Sequence, residues 1–140
     1  MLIGLSHIGI AVKNLEEALK VYVNVLGAQT GQIHRWPKTG LGAVMLTLGN
    51  SKIELMEPIG TEGPLAKFIE NRGEGIHHIC IEVDNIDKTL ESLSAQGVWL
   101  IDNEARQGLE GKIAFIHPKA MNGVLVELVE KEPSSTSSGV

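Results

Sequence analysis

The chain of 140 residues has a single cysteine, only 4% aromatic residues and no excess of basic charge. Because Cys80 has no second cysteine to pair with, an intramolecular disulfide is excluded, and a reducing compartment fits best. The formal net charge is -5, and Lys and Arg form no cluster, which argues against nucleic acid as a partner. The aromatic residues are too few to form a stacking surface. The composition is that of a soluble globular domain.

Long apolar runs are also missing. No stretch approaches the roughly 18 apolar residues that a membrane-spanning helix requires, so we expect no membrane partner. The start, MLIGLSHIGIAVKN, has neither a basic leader nor an apolar run long enough for export. These features predict a cytoplasmic protein. The end of the chain, 133–140, reads PSSTSSGV, and because it is small and polar we expect a disordered tail there.

The informative feature of the sequence is an internal repeat. SHIGIAVKNLEEAL begins at Ser6, and HHICIEVDNIDKTL begins at His77. A period of about seventy residues indicates a duplicated module, since solenoid repeats are shorter. Each copy opens with alternating residues typical of a strand, which place His7 and His78 on one face and Ile8 and Ile79 on the other. We therefore expect two equivalent modules.

A helix and a hairpin follow each of these strands. Asn14 is a candidate N-cap in the first copy, as is Asn85 or Asp84 in the second, and Gly27 and Gly97 end the two helices. The hairpins are AVMLTL with KIELMEP, and KIAFIHP with VLVELVE. The predicted modules cover about 3–58 and 76–130, joined by a short helical segment in 60–75. The fold class is α+β, in a single domain over 1–132.

The same alternation places one glutamate of each module on the histidine face. Ile53 and Leu55, like Val126 and Leu128, belong to the helix-covered face, so Glu54 and Glu127 point where the histidines point. Two such modules side by side would bring the four side chains together in one cup. Imidazole and carboxylate suit a divalent ion such as Mn, Fe, Co, Ni, Zn or Mg. The ordinary alternative is a pair of hydrogen-bonded structural histidines with two solvated glutamates.

These residues carry a family resemblance. The duplicated module with His7, Glu54, His78 and Glu127 resembles the vicinal oxygen chelate superfamily. Within it, GEGIHHICIEVDNID, LAKFIENRGEG and FIHPKAMNGVLVELVE resemble the methylmalonyl-CoA epimerase family. The resemblance implies paired βαβββ modules, a homodimer and a divalent cofactor such as Co, Mn, Ni, Zn or Mg. It also implies epimerisation of (2R)- and (2S)-methylmalonyl-CoA, an acyl-CoA thioester, through a metal-stabilised enolate.

One catalytic role of the family does not transfer to this chain. Some bacterial epimerases carry a proposed base glutamate on the strand before the glycine turn, but the matching stretch here is GLGAVML, with Ala43 or Val44 at that place. We therefore expect Glu54 and Glu127 to serve as acid and base as well as ligands. For the anionic part of the substrate the sequence offers Lys112, Lys119 and two loop glycines, Gly108 and Gly111.

Three other functions are compatible with the same cup. One is a glyoxalase I-type lactoylglutathione lyase, whose ligand types match closely, although the HPK string after Ile116 differs from the shorter turn of glyoxalases. Another is a metal-free small-molecule-binding module of the same fold, against which the four metal-type residues argue. A ring-cleaving dioxygenase would bind Fe(II) with two histidines and one carboxylate, leaving Glu54 unnecessary.

Overall fold

The computed structural model of the chain describes residues 1–133, so the predicted tail lies, from residue 134 onward, outside the described residues. The chain divides into two compact units. The first unit comprises His7–His78, and the second comprises Met1–Ser6 together with the chain from Ile79 onward. The two predicted modules, at about 3–58 and 76–130, describe the duplicated stretches of sequence, and their bounds stay a prediction.

The first unit runs from within strand β1 to the start of strand β6. Its elements are β1 (Leu2–Ala11, of which His7 onward belongs to this unit), α1 (Leu15–Leu19) continued by a π-helix (Lys20–Val25), β2 (Gln29–Thr30), β3 (His34–Trp36), β4 (Leu41–Leu48), β5 (Ser51–Pro58), α2 (Pro64–Arg72) and the start of β6 (Gly75–Val83). The second unit holds the rest of β6, α3 (Ile86–Ala95), β7 (Arg106–Gln107), β8 (Gly111–Ile116), a 3-10 turn (Pro118–Ala120) and β9 (Val126–Lys131).

The sheet of the first unit has the order β2-β4-β5-β1, with β3 paired to β4. The predicted hairpin is present as β4 and β5, joined at Gly49–Asn50. Gly49 has a φ of 60°, the conformation that a two-residue turn beginning with glycine requires. β1 and β5 run parallel, with Ile10 beside Leu55 and Gly9 beside Glu54. One face of this sheet packs its apolar side chains on Leu15 of α1, as the alternation predicts.

The opposite face of the same sheet is covered at one end by α2. Ala11, Ala43 and Met56 pack there against Leu65 of the helix, with Phe68 at the edge of the cluster. His7 and Glu54 have the same strand parity as Ala11 and Met56, so α2 covers part of the face that carries the candidate ligands. The helix therefore forms an apolar border beside the polar part of this face.

The second unit repeats the strand–helix–strand pattern of the first. Its sheet has the order β6-β9-β8-β7, with β6 and β9 parallel and β8 and β9 antiparallel. Its apolar core contains Val83, Ile86 and Leu90 of β6 and α3, packed with Val126 and Leu128 of β9. The second unit thus has the order βαβββ, and the first has the same order with one further short strand, β3, after its helix; this confirms the predicted α+β fold class. Among residues 1–133, no helix is long and apolar enough to cross a membrane.

Helices α1 and α3 begin in the same way. As predicted, the side chain of Asn14 accepts a hydrogen bond from the backbone N of Glu17 (2.9 Å), and that of Asn85 accepts one from Lys88 (3.0 Å). A carboxylate that the sequence did not reveal supplements each cap.

This second cap comes from β5 in the first unit and from β9 in the second. Oε1 of Glu57 accepts the backbone N–H of Leu15 (2.9 Å), and Oε1 of Glu130 accepts that of Ile86 (2.9 Å). A negative charge at a helix N-terminus is stabilising because the first amides there lack intrahelical partners. β5 and β9 are therefore each bonded to the first turn of the helix in their own unit.

The first helix differs from the regular helix that the sequence predicts. After Leu19 the chain forms a π-helix, in which the N–H of Leu26 bonds to the carbonyl of Val21 (3.1 Å). β-Branched valines lose side-chain freedom in an α-helix, which lowers the cost of leaving that geometry. The wider turn packs Tyr22 and Val23 on the core, while Val25 is 77% exposed.

Removing the carboxylate of Glu57 should destabilise the fold. Glu57 is 8% exposed, and its Oε2 also accepts a hydrogen bond from Nε of Arg35 (3.1 Å). Glu57→Ala leaves the amide of Leu15 without this acceptor, so we expect the free energy of unfolding to fall by about 2 kcal/mol. Urea denaturation measures this change, with the exposed Glu62→Ala as control. Equal stability of the two variants would contradict the capping role.

Candidate metal centre

Three of the predicted ligands meet in the first unit. β1 carries His7, β5 carries Glu54 and β6 carries His78. Oε1 of Glu54 lies 3.5 Å from Nε2 of His7 and 3.5 Å from Nε2 of His78. The two imidazole rings are 5.5 Å apart between centroids, at an interplanar angle of 81°. Each of the three residues offers one ligand atom within 4.8 Å of the others.

The strand pairing explains why Glu54 reaches the histidines. The parallel register places Gly9 beside Glu54, and His7 stands two residues before Gly9 on the same face of β1. Ile53 and Leu55, the neighbours of Glu54, pack into the helix-covered core. The alternation therefore commits the carboxylate to the opposite face, as the sequence predicts.

Gly9 makes room for His78. A Cβ at Gly9 would lie 2.1 Å from Cε1 and 2.4 Å from Nδ1 of the His78 ring, distances that no side-chain carbon adopts. Any residue other than glycine would therefore displace the imidazole. The sequence placed Gly9 on the histidine face but gave no reason for it, because the ring comes from a strand far along the chain.

The three donors are spaced as the ligands of one cation are. Nitrogen and oxygen donors lie about 2.0–2.2 Å from a zinc ion, so that two neighbouring donors are about 3.0–3.5 Å apart. The 3.5 Å separations fit this range but exceed the roughly 2.7–2.9 Å of a charge-assisted hydrogen bond. His7 and His78 are 5% and 2% exposed, and Glu54 is 14% exposed. The donor set suits a divalent metal better than a structural ion pair.

Glu127, the fourth predicted ligand, belongs to the second unit. It lies on β9, is 8% exposed, and is flanked across the ladders by Cys80 and Phe115. Cys80 holds the place opposite Glu127 that Gly9 holds opposite Glu54, which agrees with the predicted equivalence of the two glutamates. Cys80 is fully buried. The participation of Glu127 in the same metal site stays a prediction.

The predicted substrate-binding residues lie in two places of the second unit. The N–H of Gly108 bonds to the carbonyl of Gly111 (2.7 Å) in the β7–β8 turn, and Gly111 has a φ of 153°. In the next position, Nζ of Lys112 lies 3.8 Å from Oδ2 of Asp87. Lys119 stands in the 3-10 turn, with its Nζ 5.9 Å from the Trp99 ring. The turn geometry explains why glycines stand at positions 108 and 111. A role in substrate binding stays a prediction for both glycines and both lysines.

The strand β4 provides no catalytic carboxylate. Ala43 and Val44, which stand where some relatives carry a proposed base, are both 0% exposed and pack into the two apolar clusters of the first unit. Neither Ala43 nor Val44 can therefore transfer a proton.

His77 directly precedes the candidate ligand His78, and its opposite strand parity predicts a place at the strand edge or in support of that ligand, not among the ligands. Nδ1 of His77 lies 3.0 Å from Nδ1 of His78, although consecutive residues of a strand point to opposite faces. The pair of adjacent histidines was visible in the sequence, but parity alone would separate them. Only the fold of β6 shows that the rings meet.

The chain belongs to the Glyoxalase/Bleomycin resistance protein/Dioxygenase superfamily, whose model matches residues 6–117. It is 44% identical over 126 residues to the mitochondrial methylmalonyl-CoA epimerase of Homo sapiens, covering 89% of this chain and 72% of that protein. It is 43% identical over 127 residues to the ethylmalonyl-CoA/methylmalonyl-CoA epimerase of Cereibacter sphaeroides, covering 89% of this chain and 95% of that protein.

A solved structure extends the likeness to three dimensions. A variant of the Streptomyces coelicolor methylmalonyl-CoA epimerase in complex with 2-nitronate-propionyl-CoA matches with a TM-score of 0.89 and 29% identity. The match covers 95% of this chain and 100% of that chain. The predicted family resemblance is thereby confirmed.

Replacing Gly9 by alanine should weaken the binding of a divalent cation. The added methyl group would occupy the place of the His78 ring and turn its nitrogen away from Glu54. Misoriented ligands typically bind about 10- to 100-fold more weakly. Calorimetric titration with Co²⁺ measures the affinity, and Gly4→Ala on the same strand is the control, because nothing lies within 4 Å of a Cβ there. Unchanged affinity in Gly9→Ala would refute this role.

Proposed function

We propose that this protein is an isomerase that interconverts (2R)- and (2S)-methylmalonyl-CoA. The observation that carries the proposal is the His7–Glu54–His78 cluster, found in a chain that is similar over 89% of its length to curated epimerases of this substrate. Neither part suffices by itself, because the superfamily fold supports several activities and function resides in the site.

The reaction requires one proton to leave C2 of the acyl group and another to return to the opposite face. C2 lies between a thioester carbonyl and a carboxylate, so deprotonation leaves a planar enolate whose charge is spread over oxygen. The ligand named for the Streptomyces coelicolor structure contains a nitronate, which is likewise a planar anion with charge on oxygen. An enolate pathway for this chain agrees with that choice of ligand.

His7, Glu54 and His78 would hold the divalent ion, with Glu127 proposed as the fourth ligand. The bound ion would supply electrostatic stabilisation of the negative charge that develops on the two oxygens of the substrate. The nearly complete burial of both imidazoles excludes bulk water from their nitrogens and keeps them oriented. Identity of the metal among Co, Mn, Ni, Zn and Mg is not set by these donors, because imidazole with carboxylate accommodates all of them.

Proton transfer is assigned to Glu54 and Glu127. Epimerisation needs a group on each face of the enolate, and the duplicated sequence supplies one carboxylate per repeat at equivalent positions of the ladder. Because Ala43 and Val44 are apolar, the site lacks the base proposed for some relatives. Glu54, which is 14% exposed, is accessible enough to accept a proton from a bound molecule.

The long anionic part of the acyl-CoA is assigned to the second unit. Lys112 and Lys119 are exposed there and offer ammonium groups, and the backbone N–H groups near Gly108 and Gly111 are further candidate donors. Local cations are required because the chain as a whole has a formal net charge of -5. Ethylmalonyl-CoA is the second substrate to test, since the Cereibacter sphaeroides relative is named for both esters.

A homodimer in the cytoplasm completes the proposal. The start of β1 leaves Leu2, Ile3 and Leu5 between 60% and 64% exposed, and an apolar strand of this kind is typical of a contact surface. The cytoplasmic location is part of the proposal and is supported by the single cysteine, Cys80, which has no second cysteine for an intramolecular disulfide.

Proton NMR in deuterated water tests the function directly. With methylmalonyl-CoA as substrate, the metal-loaded protein should replace the proton at C2 by deuterium. With the glutathione–methylglyoxal adduct it should produce no lactoylglutathione, which separates the epimerase from a glyoxalase. Metal analysis of the purified protein separates both enzymes from a metal-free binding module. Turnover of the adduct without exchange at C2 would overturn the proposal.

Replacing either glutamate by glutamine should slow deuterium entry at C2. Glu54→Gln and Glu127→Gln keep an oxygen donor but remove the carboxylate that accepts the proton, so each rate should fall by about 10²- to 10⁴-fold. Metal content is measured on the same samples, and the exposed Glu62→Gln serves as control. If both metal-loaded variants exchange at the rate of the unsubstituted protein, the assignment of acid and base is wrong.

A further inference from the structure

The two nitrogens of His78 face different partners. Its Nε2 lies 3.5 Å from Oε1 of Glu54, among the candidate ligand atoms, and its Nδ1 lies 3.0 Å from Nδ1 of His77. The rings of the two histidines are almost perpendicular, at 89°. The shorter contact has the length of a nitrogen–nitrogen hydrogen bond, which requires one proton between the two atoms.

The direction of this hydrogen bond follows from the chemistry of the site. A neutral imidazole carries its proton on one nitrogen, and only the other nitrogen can bind a cation. If Nε2 of His78 binds the metal, its proton must be on Nδ1, and Nδ1 must donate it. Nδ1 of His77 then accepts, and the proton of His77 is on its own Nε2.

We propose that His77 is a positioning residue: by accepting the Nδ1 proton of His78, it fixes the tautomer and the ring orientation that direct Nε2 of His78 towards the cation. This inference deepens the proposed function and rests on its metal site. Metal-binding histidines usually donate their second N–H to a carboxylate, a backbone carbonyl or a water. In this chain an uncharged imidazole takes that place.

His77 is itself held by α2. The ring of Phe68 contacts it edge to face, with centroids 4.8 Å apart at 73°. Phe68 packs with the apolar cluster beneath α2, and the guanidinium of Arg72 lies 5.5 Å from its ring centroid. The acceptor nitrogen is thus oriented by a helix whose apolar face is anchored on the sheet of the same unit.

The repeat shows that the strand itself does not require a histidine at this place. Ser6 precedes His7 where His77 precedes His78, so an imidazole occurs before the ligand in only one copy of the motif. The remaining strand residues of the two copies follow the same alternation. The difference therefore points to a task specific to His78.

Two substitutions of His77 separate the acceptor from the packing. His77→Phe keeps an aromatic ring for contact with Phe68 but removes the acceptor, whereas His77→Asn keeps an oxygen close to the position of Nδ1. His34→Phe is the control, because His34 stacks on Trp36 and takes no part in the cluster. Circular dichroism and thermal unfolding verify that each variant is folded.

Zn²⁺ affinity, measured by competition with a chelator, should fall by about 10- to 100-fold in His77→Phe and by much less in His77→Asn. Long-range proton–nitrogen correlation spectra of the Zn²⁺-loaded protein should show His78 protonated at Nδ1, with a slowly exchanging Nδ1 proton that His77→Phe loses. A zinc-loaded His78 protonated at Nε2 would overturn the inference, as would unchanged affinity and an unchanged Nδ1 proton in His77→Phe. Failure of the unsubstituted chain to bind any divalent cation would overturn the proposed metal site as well.

Discussion

The missing side chain of Gly9 is the constraint on which the candidate site depends. The ring of His78 occupies the space that a Cβ of Gly9 would fill, and parallel pairing of β1 with β5 places Glu54 directly beside that glycine. A single position therefore admits the imidazole and sets the carboxylate next to it. Protein interiors are packed closely enough that one methyl group at such a point cannot be absorbed by small adjustments.

The sequence predicted those features that depend on local periodicity. Alternation within β1, β5 and β6 gave the correct face for His7, Glu54 and His78, because side-chain direction in a strand follows from parity alone. The helix caps at Asn14 and Asn85 were predictable for a similar reason, since capping involves residues only three positions apart.

Other features could not be predicted because they join residues that are distant in the chain. Contact between Gly9 and His78, and the second cap that Glu57 gives to Leu15, depend on which strands become neighbours. The two-residue strands β2 and β7 are too short to show a period of their own. Similarly, the π-helix after Leu19 reflects the fit of Tyr22 into the core, and tertiary packing there overrides the helical pattern.

The paired carboxylate caps link helix formation to sheet formation within each unit. Glu57 is buried and bonded to both α1 and Arg35, and Glu130 bonds the start of α3 in the same manner. If either helix frayed at its first turn, the carboxylate of Glu57 or Glu130 would lose its amide donor. That carboxylate would then carry its negative charge in surroundings that solvate it poorly. The start and the end of each repeat should consequently melt together, which makes each copy of the duplicated sequence a cooperative folding element in its own right.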